Sequence, residues 1–392
     1  MPLSGIRVVD LTRILAGPYC TMLLADMGAD VVKIEPPGRG DPVRGQGAVR
    51  DGLSWYFAAF NRNKRSLSLD LRQPQGREVL ERLIRRGDVL VENFRPGVLD
   101  AIGFDAARRR ALNPALVYCR ITGFGDSGPY RDRPSFDFIA QAMSGFMSTT
   151  GAPDGPPMRA GPPVADLAAG LQAALGICAA LVRRSRTGAG ETVGASLNNA
   201  IIGMLGFLAA DHLATGKTPP RTGNDHAIVA PYGMFRTGDG EIAIAPSQEE
   251  SYQRLLDALG LAELRERPEF ATNALRVANR KAINAAIEAR LAMDGSDHWI
   301  TKLNAAGVPA ERVKSVAEAL ADPQTIDQEM VVRAEHPGHG EVAMLGFPIK
   351  FAEAPCRLYC AAPDLGADSD TILRELGYAP AEIAALRQGG IV

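Results

Sequence analysis

Residues Ile6–Glu35 read IRVVDLTRILAGPYCTMLLADMGADVVKIE. Ile6–Asp10 is a short apolar run rich in β-branched residues, the pattern of a strand covered on both faces. Pro18–Gly28 reads as a helix, with Pro near its first turn and Gly at its end. Ala29–Glu35 is a second apolar run. Strand, helix and strand joined by short connections form a right-handed βαβ unit, and therefore a parallel sheet. The alternation continues outward with a strand at Arg65–Leu69 and a helix at Gln73–Arg86 ending at Gly87. Further strands follow at Asp88–Glu92 and Leu116–Thr122. The fold class is α/β.

A long apolar helix is predicted over Ala165–Arg184, then a Gly turn at 188–190, a short run at Glu191–Ser196 and a helical stretch at Leu197–Leu213. Thr215–Asp225 (TGKTPPRTGND) is rich in Pro, Gly and Thr and reads as a linker. Beyond it, Met234–Arg236 and Glu241–Ala245 flank Thr237-Gly-Asp-Gly240, a hairpin signal. Amphipathic helices are predicted at Glu250–Leu259, Arg280–Leu291, Ser296–Ala306, Val316–Ala321, Thr371–Gly377 and Pro380–Gln388. Two α/β domains result, the first over 1–214 and the second beginning at 226, with the linker at 215–225.

The 392 residues carry 43 Lys+Arg and 45 Asp+Glu, a net charge of −2, with 46% hydrophobic residues. This composition excludes a disordered chain, and its balance gives no electrostatic case for nucleic acid or a membrane surface as the main partner. The balance is uneven along the chain: Met1–Ser135 holds 19 Arg and 2 Lys against 15 acidic residues. Met1–Arg13 lacks a signal-peptide pattern, and the Leu167–Val182 stretch is short for a membrane span. The five cysteines are scattered, which fits a reducing cytoplasm. Cys356 and Cys360 lie downstream of His336 and His339, but Pro355 and strand-like flanks favour two unrelated thiols over a zinc site, and no metal is expected.

Gly123-Phe-Gly-Asp-Ser-Gly128 matches G-x-G-x-x-G after a strand. A dinucleotide fingerprint must also open a helix; here Pro129 and Pro134 in charged sequence make a loop. No nucleophile elbow, P-loop or H-E-x-x-H is present, and the histidines support no triad. A carboxylate remains as the chemical group.

Taken together, several strings resemble the class III coenzyme A transferases, the family of formyl-CoA transferase and carnitine CoA-transferase. They are Leu11–Pro18 with the following helix, Gly28–Pro37 (GADVVKIEPP), Asn61–Ser66 (NRNKRS) and Val91–Gly97 (VENFRPG). Gly123–Tyr130 followed by Arg133–Asp137 (RPSFD), Val164–Asp166 (VAD) and Asp370–Tyr378 complete the set. The match runs in order over nearly the whole chain. It implies a Rossmann-like large domain, a smaller α/β domain at 226–325, a return segment at 326–392 completing the large domain, and an interlocked homodimer. The implied substrates are acyl-CoA and a carboxylic acid, with no tightly bound cofactor.

The resemblance also implies that Asp166 is the nucleophile. In the sequence Asp166 stands at the start of the apolar helix, where the macrodipole and free N–H groups favour an ionised carboxylate able to attack a thioester. The same position suits an ordinary N-cap. Family positions for CoA fall on Leu15, Ala16, Leu69, Arg72, Asn93, Phe94, Arg95, Arg133 and Phe136, with Asp137 near the nucleophile. Two departures stand out. Pro36 follows Glu35 where some relatives have Arg. Ala245-Pro-Ser-Gln-Glu249 stands where formyl-CoA transferase has a run of glycines, so the Pro246–Glu249 loop differs and Ser247 and Gln248 become candidate acyl contacts. The family also includes 2-methylacyl-CoA racemases, which place His in the string before the nucleophile. Here that string is Ser135-Phe136-Asp137, and Phe136 carries no proton. A non-catalytic CoA-binding module is the alternative of another class.

Overall fold

The computed structural model describes residues 1–392. Its first unit comprises residues 1–146, 160–205 and 323–392, and its second 147–159 and 206–322. Six parallel strands form the sheet of the first unit: β1 (Arg7–Asp10), β2 (Asp30–Glu35), β3 (Lys64–Ser68), β4 (Val89–Glu92), β5 (Val117–Thr122) and β6 (Glu191–Ser196). Their spatial order is β3-β2-β1-β4-β5-β6. This is the doubly wound order, in which the strand sequence reverses between β1 and β4 and opens a crevice at their carboxyl ends.

Both faces of the sheet are covered, and successive residues divide between them. Val8, Val31, Val89, Val91, Val117, Cys119 and Ile121 face α1 (Ala16–Asp26) and the helix that follows β5. Val9, Val32, Leu90 and Tyr118 face the opposite layer, which includes the helix Pro74–Arg86. That second layer also takes Ile372, Leu373, Ile383 and Leu386 from the C-terminal helices at Ser369–Glu375 and Pro380–Gln388. Two-sided burial explains why the strands read as apolar runs rather than alternating ones.

Two helices lead into the crevice. Asp137–Met143 is α2 and Val164–Thr187 is α3. Ala165, Ala169, Ala173 and Ile177 of α3 are fully buried. Gly170 is required there, because a Cβ on it would stand 2.5 Å from the carbonyl oxygen of Ala16. The absent side chain seats α3 against the start of α1. Asp166 lies one turn earlier on the same face. By length and composition α3 could span a membrane (mean hydropathy 1.7), yet one of its faces is buried against α1 and the sheet.

The single helix expected over Leu197–Leu213 is broken. Leu197–Gly203 ends the first unit's helical layer, and Gly206, at φ 53° and ψ −125°, precedes a new helix at Phe207–Thr215. The chain therefore leaves the first unit at 205/206, before the 215–225 segment expected as a linker. That segment is held within the second unit: Arg221 Nη2 donates to the Gly155 carbonyl at 2.7 Å, and Gly223 N to the Gly151 carbonyl at 3.0 Å. The return to the first unit falls at Pro323.

The second unit has the expected hairpin, β7 (Gly233–Arg236) and β8 (Glu241–Ile244). The short strand Ala310–Glu311 pairs with β8 in an antiparallel sheet of three strands. Its core joins Phe235, Ile242, Leu255, Leu259, Ile287, Trp299 and Leu303. Back in the first unit, a hairpin of Val331–His336 and Gly340–Leu345 had no counterpart in the sequence reading.

Candidate active site

A cleft of about 430 Å3 opens at the carboxyl ends of β1, β4 and β5, within the first unit. Three segments form most of its wall. Arg13–Ala16 follows β1, Asn93–Pro96 follows β4, and Ile121–Gly123 closes β5. Arg131 and Arg133–Phe136 come from the loop after β5, and Asp166 from the first turn of α3. The cleft is thus the crevice that the strand order creates.

Side chains hold this irregular backbone in place. The Asn93 amide brackets Arg13: Oδ1 accepts from the Arg13 N–H at 2.9 Å, and Nδ2 donates to its carbonyl at 2.8 Å. The Arg13 guanidinium lies 4.7 Å from the centre of the Phe94 ring. Glu92, at the end of β4, accepts from the Phe94 N–H at 2.6 Å and from the Tyr118 hydroxyl at 2.7 Å. Below Arg13–Ala16 lies a group of fully buried charges, Asp10, Lys33, Asp41 and Lys64. Burial works against the Asp10 carboxylate, but Lys64, Lys33 and the hydroxyls of Thr12 and Thr21 outweigh it and hold its pKa below the ordinary value.

Asp166 is the only acid in the cleft wall, where it stands with Arg13, Arg95, Arg131 and Arg133. It occupies the third position of α3 and caps nothing; Pro163 is the N-cap. Asp137 takes over that task from α2, its Oδ1 accepting the Ala165 N–H at 2.8 Å. Its other oxygen accepts from Gln141 Nε2 at 2.6 Å, and Gln141 Oε1 accepts the Ala160 N–H at 2.9 Å. The N-cap reading of Asp166 is thereby corrected, and so is the expectation that helix amides keep it ionised. The Ala165 amide is spoken for, and burial, with the neighbouring Asp137 charge, pushes the Asp166 pKa up to about 7.

Tyr56 escaped the sequence reading. Burial, followed by the charges of Asp166, Asp41 and Asp137, pushes its hydroxyl up to about 12. It is therefore a neutral O–H in the field of the same carboxylates, braced by an edge-on contact with Phe60 at 5.9 Å. In sequence it is one aromatic among several in Trp55–Phe60.

Of the positions expected from the sequence, Leu15, Ala16, Asn93, Phe94, Arg95, Arg133, Phe136 and Asp166 share this cleft. Asp137 lies behind it. Leu69 is a core residue of the layer opposite α1, and Arg72 is an exposed side chain paired with Asp70 at 2.9 Å; neither lines the cleft. Ser247 and Gln248 are exposed in the second unit, in the turn after β8. Cys356 and Cys360 stand apart from the grouping of His336, His339 and Asp364. His336 Nδ1 accepts the Gly338 N–H at 3.1 Å, which leaves its proton on Nε2, facing the Ala362 carbonyl at 3.1 Å. That tautomer offers no lone pair to a metal.

The family model described as CoA-transferase family III matches residues 3–369. The chain belongs to this family. It is a CoA-transferase. It is 40% identical over 352 residues to the acetyl-CoA:oxalate CoA-transferase of Acetobacter aceti, covering 90% of this chain and 89% of that protein. It is 38% identical over 382 residues to the succinate–glutarate CoA-transferase of Agrobacterium fabrum, covering 96% of each. Among solved structures, a CaiB/BaiF family protein from Brucella suis matches with a TM-score of 0.84 and 40% identity, over 96% of this chain and 99% of that one.

Proposed function

We propose that the cleft binds acyl-CoA and that Asp166 is the nucleophile of a CoA exchange between two carboxylic acids. The observation that carries this reading is the single carboxylate of the cleft standing among four arginines at the carboxyl end of the sheet. The arginines suit the phosphates of CoA, and Leu15, Ala16, Phe94 and Phe136 supply apolar surface for adenine and pantetheine.

Asp166 attacks the thioester carbonyl of the donor. The C–S bond breaks, CoA leaves as thiolate, and an aspartyl–acyl anhydride forms. The thiolate attacks the aspartyl carbonyl and expels the donor carboxylate, leaving an aspartyl-CoA thioester. The acceptor carboxylate then displaces the thiolate and forms a second anhydride. Attack of the thiolate on the acceptor's carbonyl releases the new acyl-CoA and frees Asp166. Two easier steps replace each hard one, and no cofactor is consumed. The relatives named for oxalate, succinate and glutarate make small dicarboxylates our choice of substrate class.

We further propose that the large unit is Rossmann-like and that the working form is an interlocked homodimer. Leu171, Leu175 and Val182 on α3 and Phe138, Ile139 and Met143 on α2 are exposed apolar side chains, a concentration that marks a protein interface. The five cysteines are free thiols, which supports a cytoplasmic setting.

The test is a screen of acyl-CoA donors against carboxylic acids by mass spectrometry, with hydroxylamine trapping of an Asp166 adduct. Transfer by wild type with label on Asp166 is expected. Transfer that survives in Asp166→Ala sinks the mechanism. Incorporation of deuterium at the α-carbon of 2-methylacyl-CoA without an acceptor would instead establish the racemase.

A further inference from the structure

The segment between β1 and α1 has one backbone bond, from the Leu11 N–H to the Val91 carbonyl at 2.9 Å, and is otherwise held by side chains. The Thr12 N–H donates to Asp10 Oδ1 at 2.8 Å, the Arg13 N–H to Asn93, and the Ile14 N–H to Asp41 Oδ1 and Oδ2 at 3.1 and 3.2 Å. Ile14 has φ +70°, a region in which a β-branched residue is an outlier. It is also a wall residue of the cleft.

Asp41 is fully buried and twenty-seven residues away in sequence. Besides Ile14, it accepts the Val43 N–H at 3.2 Å and pairs with Lys33 Nζ at 3.0 Å. Lys33 is buried to the same degree, and its ammonium also donates to the Thr12 carbonyl at 2.9 Å. One ion pair therefore grips the chain on both sides of Arg13. As a source of stability such a pair is poor, since apolar residues of similar volume serve as well. Glycine at position 14 would adopt the same φ with no restraint. The chain instead keeps Ile and restrains it.

We propose that Asp41 is a positioning residue for CoA transfer: with Lys33 it holds Ile14 in the left-handed conformation and so sets the Arg13–Ala16 wall of the cleft. This rests on the reading of the cleft as the acyl-CoA site.

The test measures kcat and KM with the best donor, and thermal melting, for wild type, Asp41→Ala, Ile14→Gly and the double variant. Asp41→Ala is expected to lower kcat/KM at least 30-fold and to lower Tm. In the Asp41→Ala background, Ile14→Gly is expected to recover kcat/KM at least fivefold without recovering Tm. A folded Asp41→Ala within threefold of wild type overturns the proposal. So does a double variant no better than Asp41→Ala, which would make the role one of stability alone. Where Asp41→Ala does not fold, Lys33→Met/Asp41→Leu, with and without Ile14→Gly, replaces it under the same expectations. Asp166→Ala run in parallel separates the two readings: activity surviving there overturns the assignment of the cleft, whereas an inactive Asp166→Ala beside an indifferent Asp41 series overturns only the role of Asp41.

Discussion

In the first unit Asp10, Lys33, Asp41 and Lys64 are all completely removed from solvent, and Asp26, Glu35, Arg62 and Glu92 nearly so. In the second unit Arg276 is the one charged side chain so deeply buried, paired with Glu249 at 2.7 Å and bound to two carbonyls. The second unit's core is otherwise apolar and surrounds regular elements. Asp10, Glu35 and Glu92 end β1, β2 and β4, and Lys33 and Lys64 reach them from within β2 and from the start of β3. Burying ions is a costly way to stabilise a fold. Where they accumulate, they fix loops that helices and strands cannot fix. The contrast separates residues kept for packing from residues kept for the geometry of a site.

The largest effect expected from breaking this contrast is at Asp166. Asp166→Ala should reduce CoA transfer at least about 10^4-fold, while CoA binding, followed by calorimetry, persists. The second unit should behave oppositely. Leu255 is fully buried, and Leu255→Ala should cost about 2–5 kcal/mol in urea unfolding, with kcat/KM of the folded enzyme little altered. Asn93→Ala removes both hydrogen bonds to Arg13. The expectation is a KM for acyl-CoA raised about tenfold, equivalent to about 1.4 kcal/mol, with kcat within about threefold.

The smallest effects concern pH. With its pKa at about 7, Asp166 becomes ionised as pH rises through neutrality, so log kcat/KM should climb with unit slope below pH 7 and level above it. The same shift has a sign in stability. A carboxyl with a pKa higher in the folded chain than its ordinary 3.8 stabilises the fold below about pH 4, and that contribution is lost as pH rises through 7. Asp166→Asn should therefore melt above wild type at pH 8, by a few degrees, with the gap closing as pH falls to 4. A constant gap would show that burial does not set this pKa.

Most of the parallel sheet was legible because strands buried on both faces leave unbroken apolar runs. The helix at Arg280–Leu291 was readable from its periodicity, and the hairpin of the second unit from Thr237–Gly240. Eight residues of the cleft were reached through motifs rather than patterning. What stayed hidden depends on partners far apart in the chain. Lys33 and Lys64 look like ordinary strand charges until Asp41 and Asp10 meet them 8 and 54 residues away. Ile14 gives no sign of its left-handed backbone, since its restraint comes from residue 41. The capping of α3 by Asp137 spans 28 residues, so proximity to a helix start pointed to Asp166 instead. The helix over Leu197–Leu213 failed at Gly206, where one backbone conformation overrides an apolar pattern.

The helices at 369–375 and 380–388 supply one wall of the layer opposite α1, burying Ile372, Leu373, Ile383 and Leu386 against Val79, Leu80 and Leu83. A ribosome delivers that wall after every strand of the sheet and after the second unit. Throughout synthesis, at about 5–20 residues per second, one apolar face of the sheet is covered only by the Pro74–Arg86 side of its layer, while the second unit, encoded in between, already has its whole core. A stop codon before Ser369 would thus leave the residues of the cleft in place on a sheet whose second layer lacks Ile372, Leu373, Ile383 and Leu386.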